Sequence, residues 1–455
     1  MQIDFLGIIF MISFYSMRNL IFYFLITFSL TCGNTFKNIE IKKNEKIIIF
    51  APHPDDEILG CSGLISSTLE KNGNIWIVYL TNGDHNQLVF KLYKKKPILN
   101  PSDYIKLGEI RRKESIKATE ILGVDRKNLI FLGYPDFGTL KIWNEFWNTK
   151  KPFKSFLTRA SSVPYKENYS FGKPYTGESI VSDIESIIKE LKPTKIFITS
   201  SFDLNVDHRA LFNFVNLAIL NIFELNQPEI YCYLIHFKNW PTHLKYSPEI
   251  NLLPPEMLKS LDWHIVKLDD EKIIQKYKSL NCFKSQRVVR KNWFFSFVRK
   301  NEIFYRLYYE TLKNGTEIKF ESETEEFENN KKHSIPFIVT LKKDKNEIFL
   351  LLSHRKKIIE KIDYIFYIYP WKKNINFAIM PKIKLKVGKE KGILIDKTLS
   401  KRYKINLNKG MDGINLKIDI KKLGNPDYIF FSSEISINEI IHDFIPWRVI
   451  KIEKD

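Results

Sequence analysis

Short apolar runs alternate with amphipathic helical patterns along the first 300 residues of the chain. The strand-like runs lie at 46–50, 75–80, 129–132 and 195–199, and the helical patterns at 64–71, 102–122 and 177–191. A further helix is expected over 210–223, with Asp207 as its N-cap. Since this alternation is typical of βαβ units, it predicts an α/β fold over 40–300: a Rossmann-like, largely parallel sheet with helices on both faces.

The pattern changes after about residue 300. Short segments rich in β-branched and aromatic residues follow without intervening helices, at 337–341, 348–352, 364–368, 382–387, 414–418 and 428–432. Evenly spaced short strands predict a smaller all-β domain, a β-sandwich, over 335–455, which we interpret as a candidate carbohydrate-binding domain. The acidic stretch at 321–330 indicates a linker over 301–334.

The first 33 residues contain two apolar runs, 8–15 and 20–30, separated by Arg18 and followed by Cys32. Read from Met17, this segment resembles a bacterial lipoprotein signal, with a basic start, an apolar stretch of secretory length and a final cysteine. We therefore expect an exported protein attached to a membrane, periplasmic or on the cell surface, with Cys32 as the lipidation site. An uncleaved membrane anchor over 1–33 is the alternative.

The net charge of +19 raises the question of a nucleic-acid partner. The lysines are spread along the chain and do not form a basic strip with interleaved aromatic residues, so we predict no nucleic-acid binding. The remaining cysteines, Cys61, Cys232 and Cys282, lack the spacing of a metal site and are predicted to be core thiols.

A histidine and three carboxylates, His53, Asp55, Asp56 and Glu57, stand directly after the first predicted strand. Ligands collect beyond the carboxyl ends of parallel strands, so this cluster is expected to face a crevice. Histidine and aspartate suit a divalent ion, Zn²⁺ first, and an adjacent spare carboxylate suits a proton acceptor. The alternative is a polar turn in which the histidine is satisfied locally, and a bare motif does not separate the two.

A second histidine, His208, follows the strand predicted at 195–199. A catalytic zinc ion usually has three protein ligands and one open position, so His208 would complete a set begun by His53 and Asp56. An exposed histidine at a helix start is the alternative. Two such clusters at two strand ends favour the metal site.

Six segments in order resemble the PIG-L/LmbE-type de-N-acetylases, which remove acetyl groups from substrates that carry N-acetylglucosamine. One such motif would be weak, whereas six in order are specific. The resemblance covers roughly residues 45–290 and rests on segments 51–57, 80–84, 111–123, 132–136, 207–210 and 278–286.

The resemblance implies that His53, Asp56 and His208 hold the metal ion, Zn²⁺ or another divalent metal. It also implies that Asp55 is the general base toward the water that attacks the acetamide carbonyl. Arg111 and Asp136 become the candidate substrate contacts. A salt bridge with Glu114 on the same helix is the alternative role for Arg111.

One catalytic position departs from the family pattern. A histidine that commonly stands three residues before His208, and helps to stabilise the oxyanion, is replaced by Asn205. Asparagine donates a neutral hydrogen bond but supplies neither a proton nor a positive charge, so either activity is lower or another group substitutes. His236, His243 and His264 have no partner spacing and are predicted to serve structure.

The sequence thus predicts an exported, membrane-attached, zinc-dependent amide hydrolase. Its expected reaction is removal of the N-acetyl group from an N-acetylglucosamine-type sugar in an envelope glycan or glycolipid. The alternative, motivated by Asn205, is a non-catalytic surface lipoprotein that binds glycan with the same fold. The oligomeric state is not indicated.

Overall fold

The structure of the chain is a computed structural model, and it describes residues 36–95, 98–148, 150–223, 227–322, 337–354, 362–388, 393–396, 401–404, 408–410, 413–438 and 440–454. Residues 1–38 form one unit, of which the two-residue strand β1 (Lys37–Asn38) is described, and residues 39–455 form another. Cys32 lies outside the described residues, so the signal segment and its lipidation stay predictions. Within the described ranges, no helix has the length and apolar character needed to cross a membrane.

A largely parallel sheet is the centre of the α/β part. Its strands are β2 (Lys46–Ala51), β3 (Asn74–Thr81), β4 (Leu129–Tyr134), β5 (Lys195–Thr199), β6 (Glu229–Tyr233), β7 (Trp263–Lys267) and β8 (Asn301–Arg306). They follow the order β7-β8-β6-β5-β2-β3-β4, in which the pairs from β6 to β4 are parallel and β8 is antiparallel to both of its neighbours. The predicted fold class is confirmed.

Helices connect these strands and cover the sheet. They are α1 (Asp56–Glu70), α2 (Gln87–Lys94), α3 (Pro101–Ile121), α4 (Thr139–Glu145), α5 (Gly177–Leu191), α6 (Val206–Ile222), α7 (Asp270–Leu280) and α8 (Arg287–Phe295). Helix α1 begins eight residues earlier than predicted, because Asp56 and Glu57 occupy its first turn, where the helix dipole favours negative charge. The prediction of Asp207 as an N-cap is wrong, since Asn205 caps α6.

The predicted β-sandwich is confirmed as two antiparallel sheets. Its strands are β9 (Glu310–Leu312), β10 (Glu317–Glu321), β11 (Phe337–Asp344), β12 (Glu347–His354), β13 (Ile362–Trp371), β14 (Ile383–Val387), β15 (Ile393–Asp396), β16 (Lys401–Lys404), β17 (Asn408–Gly410), β18 (Gly413–Asp419), β19 (Tyr428–Ile437) and β20 (Ile440–Ile452). One sheet has the order β10-β11-β12-β18-β17 and the other β16-β15-β14-β13-β19-β20-β9, where β9 runs parallel to β20. Side chains from both sheets, such as Val339, Phe366 and Phe431, form the core between them.

The linker predicted over 301–334 differs from the structure at residues 301–322, and the rest of it lies outside the described residues. Strand β8 lies inside the first sheet between β6 and β7, while β9 and β10 belong to the sandwich sheets. Ile303, Phe304 and Tyr305 are at most 3% exposed, so this segment is core and not connection. The polar residues around them, Asn301, Glu302 and Arg306, conceal the strand in the sequence pattern.

Aromatic side chains join the α/β part to the sandwich. Trp143 on α4 is fully buried, and its ring centre lies 5.1 Å from Phe430 and 5.9 Å from Trp447. Because side chains alternate along a strand, Phe430 faces α4 while its neighbour Phe431 faces the sandwich core. The sheet that contains β19 and β20 is therefore covered on both faces.

A fully buried ion pair fixes the helix that follows the first site segment. Glu302 on β8 accepts hydrogen bonds from Lys276 Nζ at 2.8 Å, and from the Gly63 and Leu64 backbone N–H groups of α1 at 3.0 and 3.1 Å. Lys276 also donates to the Leu59 carbonyl at 2.8 Å. The pair thus inserts into the hydrogen-bond ladder of α1 and ties this helix to α7 and β8.

Replacing Lys276 with methionine should destabilise the fold, because it leaves the Glu302 carboxylate buried without a counter-charge. Breaking such a pair costs about 3–5 kcal/mol. Lys189→Met is the matched control, since Lys189 forms an exposed i,i+4 pair with Glu185 at 3.2 Å, which contributes only about 0.3–0.5 kcal/mol. Urea unfolding of both variants measures the difference, and equal losses would contradict the role given to Glu302.

Candidate metal centre and active site

The predicted site residues converge where two neighbouring parallel strands end. Strand β2 leads through His53 into α1, and β5 leads through residues 200–205 into α6, which carries His208 in its first turn. The chain proceeds from β2 to β3 and β4 on one side, and from β5 to β6 on the other. This reversal of strand order opens a crevice at the carboxyl ends of the strands, where ligands bind in this class of fold.

Three ligand atoms form a nearly equilateral triangle in this crevice. Asp56 Oδ2 lies 3.1 Å from His53 Nδ1 and 3.2 Å from His208 Nε2, and the two nitrogens are 3.3 Å apart. A tetrahedral zinc ion with bonds of about 2.0–2.1 Å separates its ligand atoms by about 3.3 Å. The three side chains are buried, and their spacing fits a small divalent ion.

Carboxylates on the far sides of both imidazoles fix which nitrogen faces the triangle. His208 Nδ1 lies 3.0 Å from Asp203 Oδ2. His53 Nε2 lies 3.2 Å from Asp136 Oδ1 and 3.3 Å from Asp207 Oδ2. The His53–Asp207 contact is a hydrogen bond, and the other two are ion-pair contacts. Histidines that bind metal ions regularly have a carboxylate at their other ring nitrogen. His53, Asp136 and Asp207 also lie close enough to form a second candidate metal group. We interpret these two carboxylates as groups that orient His53 toward the triangle.

Asp203 also organises the loop between β5 and α6. Its carboxylate accepts the backbone N–H groups of Asn205, Ile235 and His236 at 2.9, 3.1 and 2.9 Å. Since the same carboxylate contacts His208, one buried group determines both the course of the loop and the orientation of the imidazole.

The buried carboxylates make this crevice attractive to positive charge. Burial alone lowers the pKa of His53, but the carboxylates of Asp136, Asp207 and Asp56 outweigh it and raise this pKa well above its usual value. Burial likewise opposes Asp203 and Asp56 at His208, whose pKa rises to about 9. Burial also disfavours ionised Asp56, yet the charges and hydrogen bonds of the two histidines hold its pKa well below the usual value.

Asp55 lies beside the triangle but outside it. It stands at the N-cap of α1 with a φ angle of 126°, a strained conformation for a non-glycine residue that the structure around it must enforce. Its backbone N–H donates to Glu57 at 2.8 Å, and its carboxylate accepts from Arg111 at 3.0 Å. Burial raises the pKa of Asp55 to about 7 even though the Arg111 charge opposes this.

Arg111 is held by groups at the site and not by Glu114. Its guanidinium donates to the carbonyls of Gly83 and Pro54 at 3.0 and 2.9 Å as well as to Asp55. Gly83 has a φ of 68°, and a β-carbon there would lie 2.0 Å from the guanidinium, so only glycine fits. Glu114 instead accepts from Ser285 at 2.6 Å. The same-helix salt bridge considered for Arg111 is not formed.

Asn205 caps helix α6, whereas Asp207, predicted to be the cap, supports His53 instead. The Asn205 side-chain oxygen accepts the Asp207 backbone N–H at 2.8 Å and so caps α6. The Asp207 carboxylate turns away from the helix, accepts the backbone N–H groups of Phe137 and Thr139 at 2.6 and 3.2 Å, and supports His53. Asp207 thus contacts both the loop after β4 and His53.

A cavity of about 410 Å³ opens onto the triangle and contains most of the predicted site residues. Its lining includes His53, Asp55, Asp56, Arg111, Asp136 and Asn205, together with His85, Phe137, His236, Gln286, Val289, Trp293 and Phe294. Arg111 and Asp136 are thus placed where a substrate can reach them, and their contact with one stays a prediction.

His236, for which the sequence predicts a structural role, and Trp293, for which it predicts none, both line the cavity. The His236 ring lies 4.9 Å from that of His208 and stacks on Trp293 at 5.2 Å and 7°. Burial lowers the pKa of His236 to about 4, so its imidazole is neutral. The available signal was its position just beyond β6, a parallel strand whose end faces the same crevice. Trp293 on α8 gave no comparable signal.

The fold and this site define a Rossmann-like protein with a candidate metal centre at the carboxyl ends of its parallel strands. Residues 48–219 match the family model described as GlcNAc-PI de-N-acetylase, PIG-L. The resemblance predicted from the sequence motifs is confirmed over this segment. The matched segment contains the triangle and Asp55 and excludes the β-sandwich.

A protein of Bacteroides thetaiotaomicron named as glucosamine-6-phosphate deaminase-like is 23% identical over 188 residues, which are 38% of this chain and 28% of that protein. Among solved structures, the N,N'-diacetylchitobiose deacetylase of Pyrococcus horikoshii is 18% identical and covers 58% of this chain and 84% of its own, with a TM-score of 0.35. The 4-carboxy-2-hydroxymuconate hydratase GalB of Pseudomonas putida is 14% identical and covers 60% and 100%, with a TM-score of 0.38. Neither structural likeness bears on the activity of this protein.

Asp203→Asn should weaken the binding of a divalent ion such as Zn²⁺ at this candidate centre by about 10- to 100-fold, because the amide removes the negative charge that faces His208 Nδ1. Competition with a chromophoric chelator measures the affinity. Asp183→Asn is the matched control, since Asp183 is an equally buried carboxylate that holds Tyr134 at 2.7 Å, away from the triangle. An unchanged zinc affinity in Asp203→Asn would contradict the outer role of this carboxylate.

Proposed function

We propose that this protein is a metal-dependent de-N-acetylase that hydrolyses the N-acetyl group of an N-acetylglucosamine-type sugar. The observation that carries the proposal is the triangle of His53, Asp56 and His208, with the Asp55 carboxylate beside it and outside it. Two nitrogens and one oxygen at this spacing, with one open side toward a cavity, match the ligand set of a catalytic zinc ion. Zn²⁺ is the ion we assign, and another divalent metal fits the same ligands.

The ion would polarise an amide carbonyl and lower the pKa of a water molecule toward neutrality. The remaining work falls to side chains of the chain itself. Asp55 accepts the proton that the attacking water loses, and its pKa of about 7 suits proton transfer near neutral pH. The products are acetate and a free amine, and the proton held by Asp55 is available to the departing nitrogen.

Negative charge that develops on the carbonyl oxygen needs hydrogen-bond donors. Because the side-chain oxygen of Asn205 is used to cap α6, its amide N–H₂ group is the part left to donate toward the cavity. His236 is a second donor in the same cavity, neutral and held against His208 and Trp293. We propose that these two groups together take the place of the histidine that the family commonly carries.

The cavity supports a sugar as the substrate. Arg111, Asp136 and Gln286 offer polar groups, while Phe137, Val289 and Trp293 offer apolar surface. A pyranose ring has polar hydroxyl edges and apolar faces, so a mixed lining with an aromatic ring suits it. The family description and the name of the curated relative both concern glucosamine derivatives. The N-terminal segment resembles an export signal, so we propose that the protein is exported and attached to a membrane. Its substrate would then be an envelope glycan or a glycolipid.

Asp55→Asn tests the proposal most directly. The amide keeps the shape of the side chain but cannot accept the proton, so acetate release from N-acetylglucosamine oligosaccharides should fall by about 10²- to 10⁴-fold. Bound zinc should stay at one ion per chain. Asp125→Asn, at an exposed surface carboxylate, is the control and should leave the rate unchanged.

Acetate release that persists in Asp55→Asn would refute the assigned base. Acetate release that survives complete removal of divalent ions would refute metal dependence. A wild-type protein that binds zinc and these glycans but releases no acetate would instead support the alternative of a non-catalytic glycan-binding protein.

A further inference from the structure

Strand β20 of the sandwich contacts the segment that presents His208. The guanidinium of Arg209, the next residue along α6, lies 4.3 Å from the ring centre of Phe444. Near the start of the loop over 200–205, the guanidinium of Arg448 lies 4.3 Å from the ring centre of Phe202. Two residues of one sandwich strand therefore hold this loop at both of its ends.

Both contacts are well packed on the side of the α/β part. Arg209 is 6% exposed and Phe202 is 7% exposed. Cation–π contacts gain strength when they are removed from water in this way. Arg448 also reaches Ser201 Oγ at 3.5 Å, so the beginning of the loop has a second contact with β20.

The loop between the two contacts contains the parts that orient the metal ligand. Asp203, which faces His208 Nδ1 at 3.0 Å, and Asn205, which caps α6, both lie there. The carbonyl of His208 is held by Thr199 Oγ1 at 3.1 Å. A metal site requires its ligands to be held within about 0.5 Å of the productive geometry, so a shift of this loop would be felt at the triangle.

A bulge in β20 lies between Phe444 and Arg448. Its pairing with β19 shifts between Phe431 and Ser433, opposite Pro446 and Trp447. Bulges redirect side chains, and proline is tolerated there because it has no N–H to donate. As a result Phe444 and Trp447 face the α/β part, while Ile445 between them is fully buried in the sandwich core.

We propose that Phe444 and Arg448 are positioning residues for the metal centre, and that the sandwich thereby completes the site. This inference rests on the proposed metal function of His208. It differs from a carbohydrate-binding role for residues 335–455, because it predicts that changes on β20 alter metal binding in the absence of any glycan.

The test measures zinc affinity of the full chain for Phe444→Leu and Arg448→Ala, with Phe366→Leu as the control. Phe366 on β13 receives the same substitution as Phe444 and is fully buried in the sandwich core. Each metal-free protein is titrated with Zn²⁺ against a chromophoric chelator, and the absorption spectrum of the Co²⁺-loaded protein reports ligand geometry. Circular dichroism establishes the temperature at which every variant is folded.

We expect Phe444→Leu and Arg448→Ala to bind zinc about tenfold more weakly, with an altered Co²⁺ spectrum, as with other residues that support metal ligands. Phe444→Tyr keeps the aromatic face and should retain wild-type affinity. Phe366→Leu should lower the unfolding midpoint and leave zinc affinity unchanged, because its ring lies in the core between the two sandwich sheets.

Wild-type zinc affinity in both Phe444→Leu and Arg448→Ala would overturn the inference. An equal loss in Phe366→Leu would also overturn it, since the effect would then follow from general destabilisation. These results leave the proposed function intact. A wild-type chain that binds no zinc would refute the metal centre itself, and this inference with it.

Discussion

The attraction between two buried imidazoles and the carboxylates around them is the interaction on which the site depends. Asp56 lies between His53 and His208, and Asp203 supports the far nitrogen of His208. Burial disfavours every one of these charges separately, and only their proximity makes the cluster tolerable. A divalent cation at the triangle would relieve the excess of negative charge. The same electrostatic balance therefore explains how the cluster tolerates burial, and it supports the assignment of a candidate metal site.

Three structural layers hold this cluster in place. The strand order reverses between β2 and β5, and this brings the ends of the two strands together. Inside the fold, Glu302 and Lys276 enter the backbone ladder of α1 and fix the helix that begins with Asp56. Outside it, strand β20 packs against the loop that leads to His208. Each of these three contacts fixes backbone that carries a site residue. The ligand side chains are therefore restricted in position.

Much of the fold, and the clustering of the candidate site residues, was predictable because both have short-range signals. Buried parallel strands appear as continuous apolar runs, and the groups that follow them belong to one edge of the sheet. The predictions failed where a local pattern competed with a distant partner. Strand β8 was assigned to a linker because Glu302 appears solvent-facing until its partner Lys276 is known. Asp207 has the composition of an N-cap, yet His53 and the loop after β4 claim its carboxylate.

The sequence by itself determined the α/β and all-β classes, the order of the motifs and the identity of the candidate ligands and base. Only the tertiary structure decided that His236 and Trp293 share the cavity, that Asn205 caps α6, and that Phe444 and Arg448 touch the loop beside His208. The physical reason is sequence separation. Periodicity and the residue types at strand ends depend on a few neighbouring residues. Ring stacking, buried ion pairs and contacts between sheets instead join residues that are far apart along the chain.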